Sequence, residues 1–381
     1  MVYLDYSATT PVDSEVIRTF SKACEDYWAN PNSLHKEGIK CNALINAATE
    51  QIADILGVKV SEIIYTSGAS ESNNLAIKGI CEKYKNRGKH IITTEFEHSS
   101  IYGPVSYLQK LGFDVDFVKT DDNGKVDLDN LKGLIRDDTI LVSITAVNSE
   151  IGIIEPIEEI GKLLRDYPKI FYHVDLTQSI GKQKINLNDI DLASFSAHKF
   201  FGVKGIGVLV KKENINVEPI IHGGKSTTIY RSGTPATPLI ASISKALRLV
   251  NTDMDKNYEY VKNINRRVRD CLNKYDKVKI NSPEDALPYI LNISVLGVKP
   301  EVLLHALEED EIYISTQTAC SSKTDESKAV YALTKDSERS KSSVRISLSY
   351  KTTEQEIDEF LKVFDKCYNK LTTLRWRKWK L

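Results

Sequence analysis

Between residue 60 and about residue 210, short runs rich in β-branched and aromatic residues alternate with amphipathic stretches. No other feature of the chain limits its fold as strongly. The runs are EIIYT (62–66), HIITT (90–94), DVDFV (114–118), TILVSIT (139–145), KIFYHVD (169–175), DLASFS (191–196) and GVLVKK (207–212). Between several of them lie helical patterns, such as Glu71 to Tyr84 and Ile157 to Arg165. Parallel neighbours need a long crossover, usually a helix, so the alternation predicts an α/β fold with a mostly parallel sheet and helices on both faces. After about residue 240 the pattern changes. One helical stretch is predicted from Leu239 to about Leu272, followed by β-rich VKIN (278–281) and YILNISV (289–295). A helix around 300–309, IYIST (312–316), SVRISLS (343–349) and a closing helix from about 353 to 371 complete a smaller α+β domain.

Composition narrows the function classes. The 381 residues carry 51 Lys+Arg against 52 Asp+Glu, a formal net charge of −1, which removes the simplest argument for direct nucleic-acid binding. No apolar run approaches the roughly 18–20 residues that cross a bilayer. The start, MVYLDYSATTP, lacks a basic flank and an apolar signal core, so a cytoplasmic protein without a membrane anchor is expected. The six cysteines (Cys24, Cys41, Cys81, Cys271, Cys320, Cys367) show no CxxC and no zinc-finger spacing, so neither a metal site nor a disulfide framework is expected.

Ligands of such sheets collect beyond the carboxyl ends of the strands. There KIFYHVD ends in Asp175, with Gln178 three residues on, and DLASFS runs into Ser196-Ala-His198-Lys199 before Gly202, Gly205 and Gly207. A lysine at that place can form a Schiff base, and an acid on a neighbouring strand can hold a pyridinium nitrogen protonated. The bland alternative is a surface lysine and a helix-capping aspartate. The stretch 66–72, TSGASES, follows a strand and opens a helix. Its small residues let backbone N–H groups approach an anion, or else Ser67 or Ser70 simply caps the helix. It lacks the Gly-Lys-Ser/Thr of a P-loop, so a monophosphate suits it better than a triphosphate. His98 and Asn148 stand just past two further strands, where turn chemistry is the alternative. Cys320 sits in the polar segment TQTACSSKTDESK, which suggests an exposed, mobile loop, and nearby Lys323 would favour its thiolate.

The ordered motifs LDYSATTP, NPNSLHKEG, TSGASESNN, EHSS, VNSEIG, HVDLTQSIGK, SAHKFFGVKGIG, YRSGTPAT, TACSSK and SVRISLS span nearly the whole chain. In this combination the sequence resembles NifS/IscS-like cysteine desulfurases, class V members of the fold-type-I pyridoxal phosphate enzymes. The resemblance implies a large cofactor-binding domain over residues 16–250. Residues 1–15 and 251–381 would form a small domain carrying the cysteine loop. It implies that Lys199 binds pyridoxal 5'-phosphate covalently, that Asp175 pairs with the pyridine nitrogen, that Gln178 meets the ring hydroxyl and that His98 stacks on the ring. Ala69, Ser70, Ser196 and His198 match phosphate-binding positions, and Thr234 matches a residue reaching the phosphate of the other subunit of a homodimer. Asn148 and Arg345 match contacts to the substrate carboxylate, a role suited to the planar guanidinium fork.

The implied activity converts L-cysteine to L-alanine. Lys199 moves the Cα proton, His98 serves as general acid–base, and Cys320 takes the sulfur as a persulfide. Delivery would go to an acceptor protein, either an iron–sulfur scaffold or a ThiI-like tRNA sulfurtransferase. The chain departs from the family pattern at HGGKSTTIYR (222–231), at the serine of VNSEIG and at Ser70. Its basic, Trp-bearing end RWRKWKL is shorter than the tail of relatives that dock an iron–sulfur scaffold, which leaves room for the second acceptor, and reads as a frayed tail. Three other readings share much of the site: a selenocysteine lyase, a class V aminotransferase that needs no Cys320, and a non-enzymatic cofactor-binding assembly partner that has lost turnover.

Overall fold

The computed structural model describes residues 1–316 and 326–373. The chain opens with a two-residue strand β1 (Val2–Tyr3) and helices α1 (Ser14–Asp26) and α2 (Lys36–Leu56). Asp13 starts α1 by accepting the Glu15 N–H at 2.9 Å, and the left-handed Gly57 ends α2. Seven strands follow: β2 (Ile63–Thr66), β3 (His90–Thr93), β4 (Asp114–Phe117), β5 (Thr139–Thr145), β6 (Phe171–Asp175), β7 (Leu192–Ser196) and β8 (Gly207–Lys211). Helices α3 (Ala69–Tyr84), α4 (Ser99–Lys110), α5 (Leu128–Leu134) and α6 (Ile157–Leu164) connect them. The strands form one sheet in the order β2-β8-β7-β6-β5-β3-β4. Only β8 runs against its neighbours; the other pairings are parallel. Every residue of β5 and β7 is buried, as expected of strands covered on both faces.

The helical stretch predicted as one piece from Leu239 is two helices, α7 (Thr237–Thr252) and α8 (Met254–Leu272). They part at Asp253, which leaves helical geometry at φ −121°, ψ 30°. The preceding Asn251-Thr252 are weak helix formers that compete with the backbone for hydrogen bonds, so the break falls where propensity is lowest. Beyond it come β9 (Val278–Ile280), β10 (Ile290–Val295), α9 (Pro300–Glu308), β11 (Ile312–Tyr313), α10 (Lys328–Thr334), α11 (Ser337–Lys341), β12 (Ser343–Ser347) and α12 (Glu354–Thr373). Strands β12, β10 and β9 make a small antiparallel sheet, while β1 pairs with β11. Strand β11 is shorter than IYIST suggests. Ser315 nevertheless bridges Arg345, its N–H reaching the Arg345 carbonyl at 3.1 Å.

One apolar core lies beneath the large sheet, drawing on Val16, Ile52, Val142, Val174, Phe195 and Leu247 among others. A second one packs α8, α9 and α12 against the small sheet and includes Val2 and Leu4 from the chain start. Among the described residues no helix is long and apolar enough to cross a membrane.

Backbone closeness at one point decides how β2 can reach α3. An added Cβ on Gly207 would lie 2.6 Å from Gly68 Cα and 2.7 Å from the Phe195 carbonyl. Both obstacles are main chain and cannot swing aside. Gly207→Ala is therefore expected to lower unfolding free energy by about 1–3 kcal/mol, read as a fall in the chemical-denaturation midpoint; an unchanged midpoint would contradict the packing described.

Candidate active site

Asp175 ends β6, level with Thr145 on β5 and Ser194 on β7. A buried carboxylate needs donors, and this one has two. Its Oδ1 accepts the Thr177 N–H at 2.9 Å, and its Oδ2 accepts from Asn73 Nδ2, on α3, at 2.8 Å. The same Asn73 nitrogen also donates to Ser100 Oγ at 2.8 Å. Ser100 in turn meets His98 Nδ1 twice, through its hydroxyl at 2.8 Å and its N–H at 3.2 Å. That second bond makes His98 the N-cap of α4, which explains why the ring sits just past β3. Burial lowers the His98 pKa; Asp175 opposes the shift and Lys199 adds to it.

Beneath Asp175, His173 crosses the sheet, bonded to Ser143 and Ser194 hydroxyls at 2.9 Å each. Burial takes its pKa down to about 4 against the pull of Asp175, so the ring is neutral.

Lys199 follows β7 in a single 3-10 turn, Ala197–Lys199. Its Nζ donates to the carbonyls of Ser7 at 2.7 Å and Ala8 at 2.9 Å. Gln178 Nε2 reaches the same Ser7 carbonyl at 2.9 Å, while its Oε1 accepts from Lys182 Nζ at 2.8 Å. His198 Nδ1 lies 3.1 Å from Thr9 Oγ1, and burial brings its pKa to about 4, with Lys199 and Lys204 pushing the same way. Arg345, 1% exposed on β12, donates to the Ser149 carbonyl at 2.9 Å and to Asp5 Oδ1 at 2.8 Å. Its buried Nε has no partner among the described residues.

The turn from β2 into α3 forms a cradle. Gly68 is the N-cap, at φ 156° and ψ 176°, a shape that other residues avoid. Neither Ser67 nor Ser70 caps the helix, since no side chain bonds the cap, and Glu71 Oε2 takes the Ser67 N–H at 2.7 Å. The opening N–H groups of a helix lack intrahelical partners, so Ala69 and Ser70 present donors to an anion.

These elements enclose one cavity of about 450 Å³. From the phosphate-type positions Ala69, Ser70, Ser196 and His198 line it, and from the ring-type positions His98, Asp175, Gln178 and Lys199 do so. Arg345 reaches the wall with Ser149 and Val147. Asn148, between those two, is turned into its own loop. Its Nδ2 donates to the Phe96 carbonyl at 2.8 Å, and its Oδ1 accepts the N–H groups of Glu150 at 2.9 Å and Ile151 at 2.7 Å. Thr234 is exposed and not among the lining residues. Cys320, Lys323 and the RWRKWKL end lie outside the described residues.

The chain's own groups fit pyridoxal phosphate: a lysine amine, a buried carboxylate and a helix start whose glycine lets backbone approach an anion. Sequence reasoning gave no role to Asn73, Ser100, Lys182, Asp5, Ser7 or Ala8. All six stand inside quoted motifs, but the partners of Asn73, Asp5, Ser7 and Ala8 are distant in sequence.

Comparison with known proteins bears on the fold and family. The aminotransferase class-V family model matches residues 2–360. A NifS/IcsS protein homolog of Lactobacillus delbrueckii subsp. bulgaricus is 41% identical over 374 residues, covering 97% of each chain. A cysteine desulfurase IscS of Dictyoglomus turgidum is 38% identical over 378 residues, 98% of this chain and 96% of that one. Among solved structures, a NifS-like protein superposes with a TM-score of 0.91 at 34% identity, covering 98% of this chain and 100% of that chain. Lysine, carboxylate and anion cradle thus stand on a matching scaffold, and the chain belongs to the class-V aminotransferase family of pyridoxal phosphate-dependent enzymes, with the NifS/IscS-like cysteine desulfurases as its relatives.

Proposed function

We propose that the protein is a cysteine desulfurase that releases L-alanine from L-cysteine and carries the sulfur on Cys320 as a persulfide. The observation that carries this reading is the shared cavity, in which Lys199, Asp175, His98 and Arg345 meet. Pyridoxal phosphate, when bound, supplies the electron sink that stabilises negative charge at the substrate Cα. Asp175 holds a positive pyridine nitrogen, Gln178 meets the ring hydroxyl, and Ala69, Ser70, Ser196 and His198 hold the phosphate. Arg345, pre-oriented by Asp5 and the Ser149 carbonyl, takes the substrate carboxylate. Asn148 shapes the loop that presents Ser149. Lys199 holds the cofactor and moves the Cα proton, and His98 is the acid–base group beside the substrate thiol.

The Cys320 thiolate attacks the substrate sulfur. The Cβ–S bond breaks with its electron pair left on the carbon fragment, which is protonated to alanine, and an S–S bond forms on Cys320. None of the five other cysteines lines the cavity, and Cys41, Cys81 and Cys367 are buried. The described chain on both sides of Cys320 is tied down beside Arg345. Ser315 bridges Arg345 itself, and Ser327 bonds Glu150, the neighbour of Ser149. Cys320 is four residues past Thr316, a tether of at most about 14 Å.

Two copies pair in this reading. Leu34, 93% exposed, and the exposed Trp28, Ile39 and Ile229 offer apolar surface. The Asn32–Ser226 contact brings the loop of Leu34 beside the segment that leads to Thr234, and in this reading Thr234 reaches the phosphate of the partner. Sulfur then passes from Cys320 to an acceptor protein.

Lys199→Ala is expected to abolish alanine and persulfide formation together. Cys320→Ser should keep cysteine binding, seen as a perturbed cofactor absorbance, and lose sulfur delivery; unchanged persulfide yield in either variant would overturn the assignment.

Lys182 tests the support beneath Gln178. Burial, with Lys199 and Arg345 adding to it, lowers its pKa from 10.5 to about 7. The unfolded chain therefore holds the extra proton between those values, and this site's contribution to stability rises with pH across that window. Lys182→Met removes the titration. Its stability relative to wild type should be greatest near pH 7 and decline toward pH 10 in denaturation curves, and an equal difference at both would contradict the burial argument.

A further inference from the structure

We propose that Asn73 is a positioning residue which, acting through Ser100, fixes His98 as the tautomer with Nδ1 unprotonated and the hydrogen on Nε2. This deepens the desulfurase reading and rests on it for its catalytic meaning, though not for its geometry.

The direction of each bond in the chain follows from the one before it. Asp175 is an acceptor, so the Asn73 amide must turn a hydrogen toward its Oδ2, at 2.8 Å. The opposite amide orientation would set two oxygens against each other at that distance. Asn73 is 0% exposed, and its Oδ1 has no partner among the described residues. The second Nδ2 hydrogen goes to Ser100 Oγ at 2.8 Å. With a lone pair occupied there, the Ser100 O–H is free to point at His98 Nδ1, 2.8 Å away. The Ser100 backbone N–H donates to the same nitrogen at 3.2 Å and needs its lone pair. Two donors converge on Nδ1, so a neutral ring carries its hydrogen on Nε2.

The imidazolium form requires a hydrogen on Nδ1, which would turn both donors away. The relay thus opposes protonation in the same direction as burial. The charged groups acting on the ring are Asp175 from β6 and Lys199 from the turn after β7, which pull oppositely. Glu97, the next residue back in the chain, turns its Oε1 to the Thr94 hydroxyl and the Thr145 N–H instead. For the desulfurase reaction the consequence is a neutral ring that offers an N–H from Nε2, rather than an imidazolium that would trap a substrate thiolate as an ion pair.

The test uses cofactor-loaded protein labelled with 15N at its seven histidines, the His98 signals being those lost in His98→Gln. Wild type is expected to show one acceptor-type and one N–H-type ring nitrogen, with the N–H at Nε2. Asn73→Leu frees the Ser100 hydroxyl to turn round, and Ser100→Ala removes it. Both should raise the His98 pKa by about one unit, with the acid limb of kcat/KM moving by the same amount. A role confined to packing would lower the melting temperature of Asn73→Leu and leave both titrations in place. Should Asn73→Leu fail to fold, Ser100→Ala and the wild-type tautomer still decide. An Nδ1–H tautomer in wild type, or a ring pKa unchanged in the variants that fold, overturns the proposal. Because the ring nitrogens are read directly, absence of alanine formation would count against the desulfurase reading and not against the relay.

Discussion

Residues 4 to 10 bind the core of the small sheet, through Leu4, and a core of the large sheet, through Tyr6, to the site. Leu4 sits in the smaller core, its N–H bonded to the Tyr313 carbonyl at 2.8 Å and its carbonyl to the Ser347 N–H at 2.7 Å. Asp5 then neutralises Arg345, and the Ser7 and Ala8 carbonyls receive the Lys199 amine. Thr9 meets His198, and Thr10 binds both the His198 carbonyl and the Phe201 N–H. A fully buried guanidinium without its carboxylate is costly by several kcal/mol. Displacing this segment would therefore leave Arg345 uncompensated and take away the acceptors of Gln178 and Lys199 at once.

Burial and neighbouring charge act together on His198 and Lys182, while Asp175 works against burial at His98 and His173. Burial disfavours charge on His98, His173 and His198, and those rings are held neutral. Asp175 stays ringed by N–H donors rather than by cations, which leaves its charge to be met by a ligand. Burial, with Lys199 and Arg345 adding to it, likewise disfavours the charge on Lys182.

Much of this was legible in the sequence because the sheet strands carry continuous β-branched runs, and because ligands gather where such strands end. TILVSIT is a strand over its whole length, and Asp175 and Lys199 stand where strand ends place them. The break at Asp253 was hidden because amphipathic periodicity continues on both sides of it. Asn73 and Asp5 were hidden for a different reason. Their partners Asp175 and Arg345 lie 102 and 340 residues away, and no local pattern encodes such pairings. Asn148 shows the converse. Its position past a strand end suggested a ligand contact, while its amide holds the turn that carries Ser149.

The central claim is that sulfur leaves cysteine in this cavity and arrives on Cys320. A single-turnover mixture of cofactor-loaded protein with L-cysteine, analysed for alanine and by peptide mass spectrometry, tests it most directly. The account predicts one alanine for each sulfur atom added to the Cys320 peptide, with sulfide released only after reductant is supplied. Alanine formed while the added sulfur sits on another cysteine, or no alanine from a cofactor-loaded site, would contradict it.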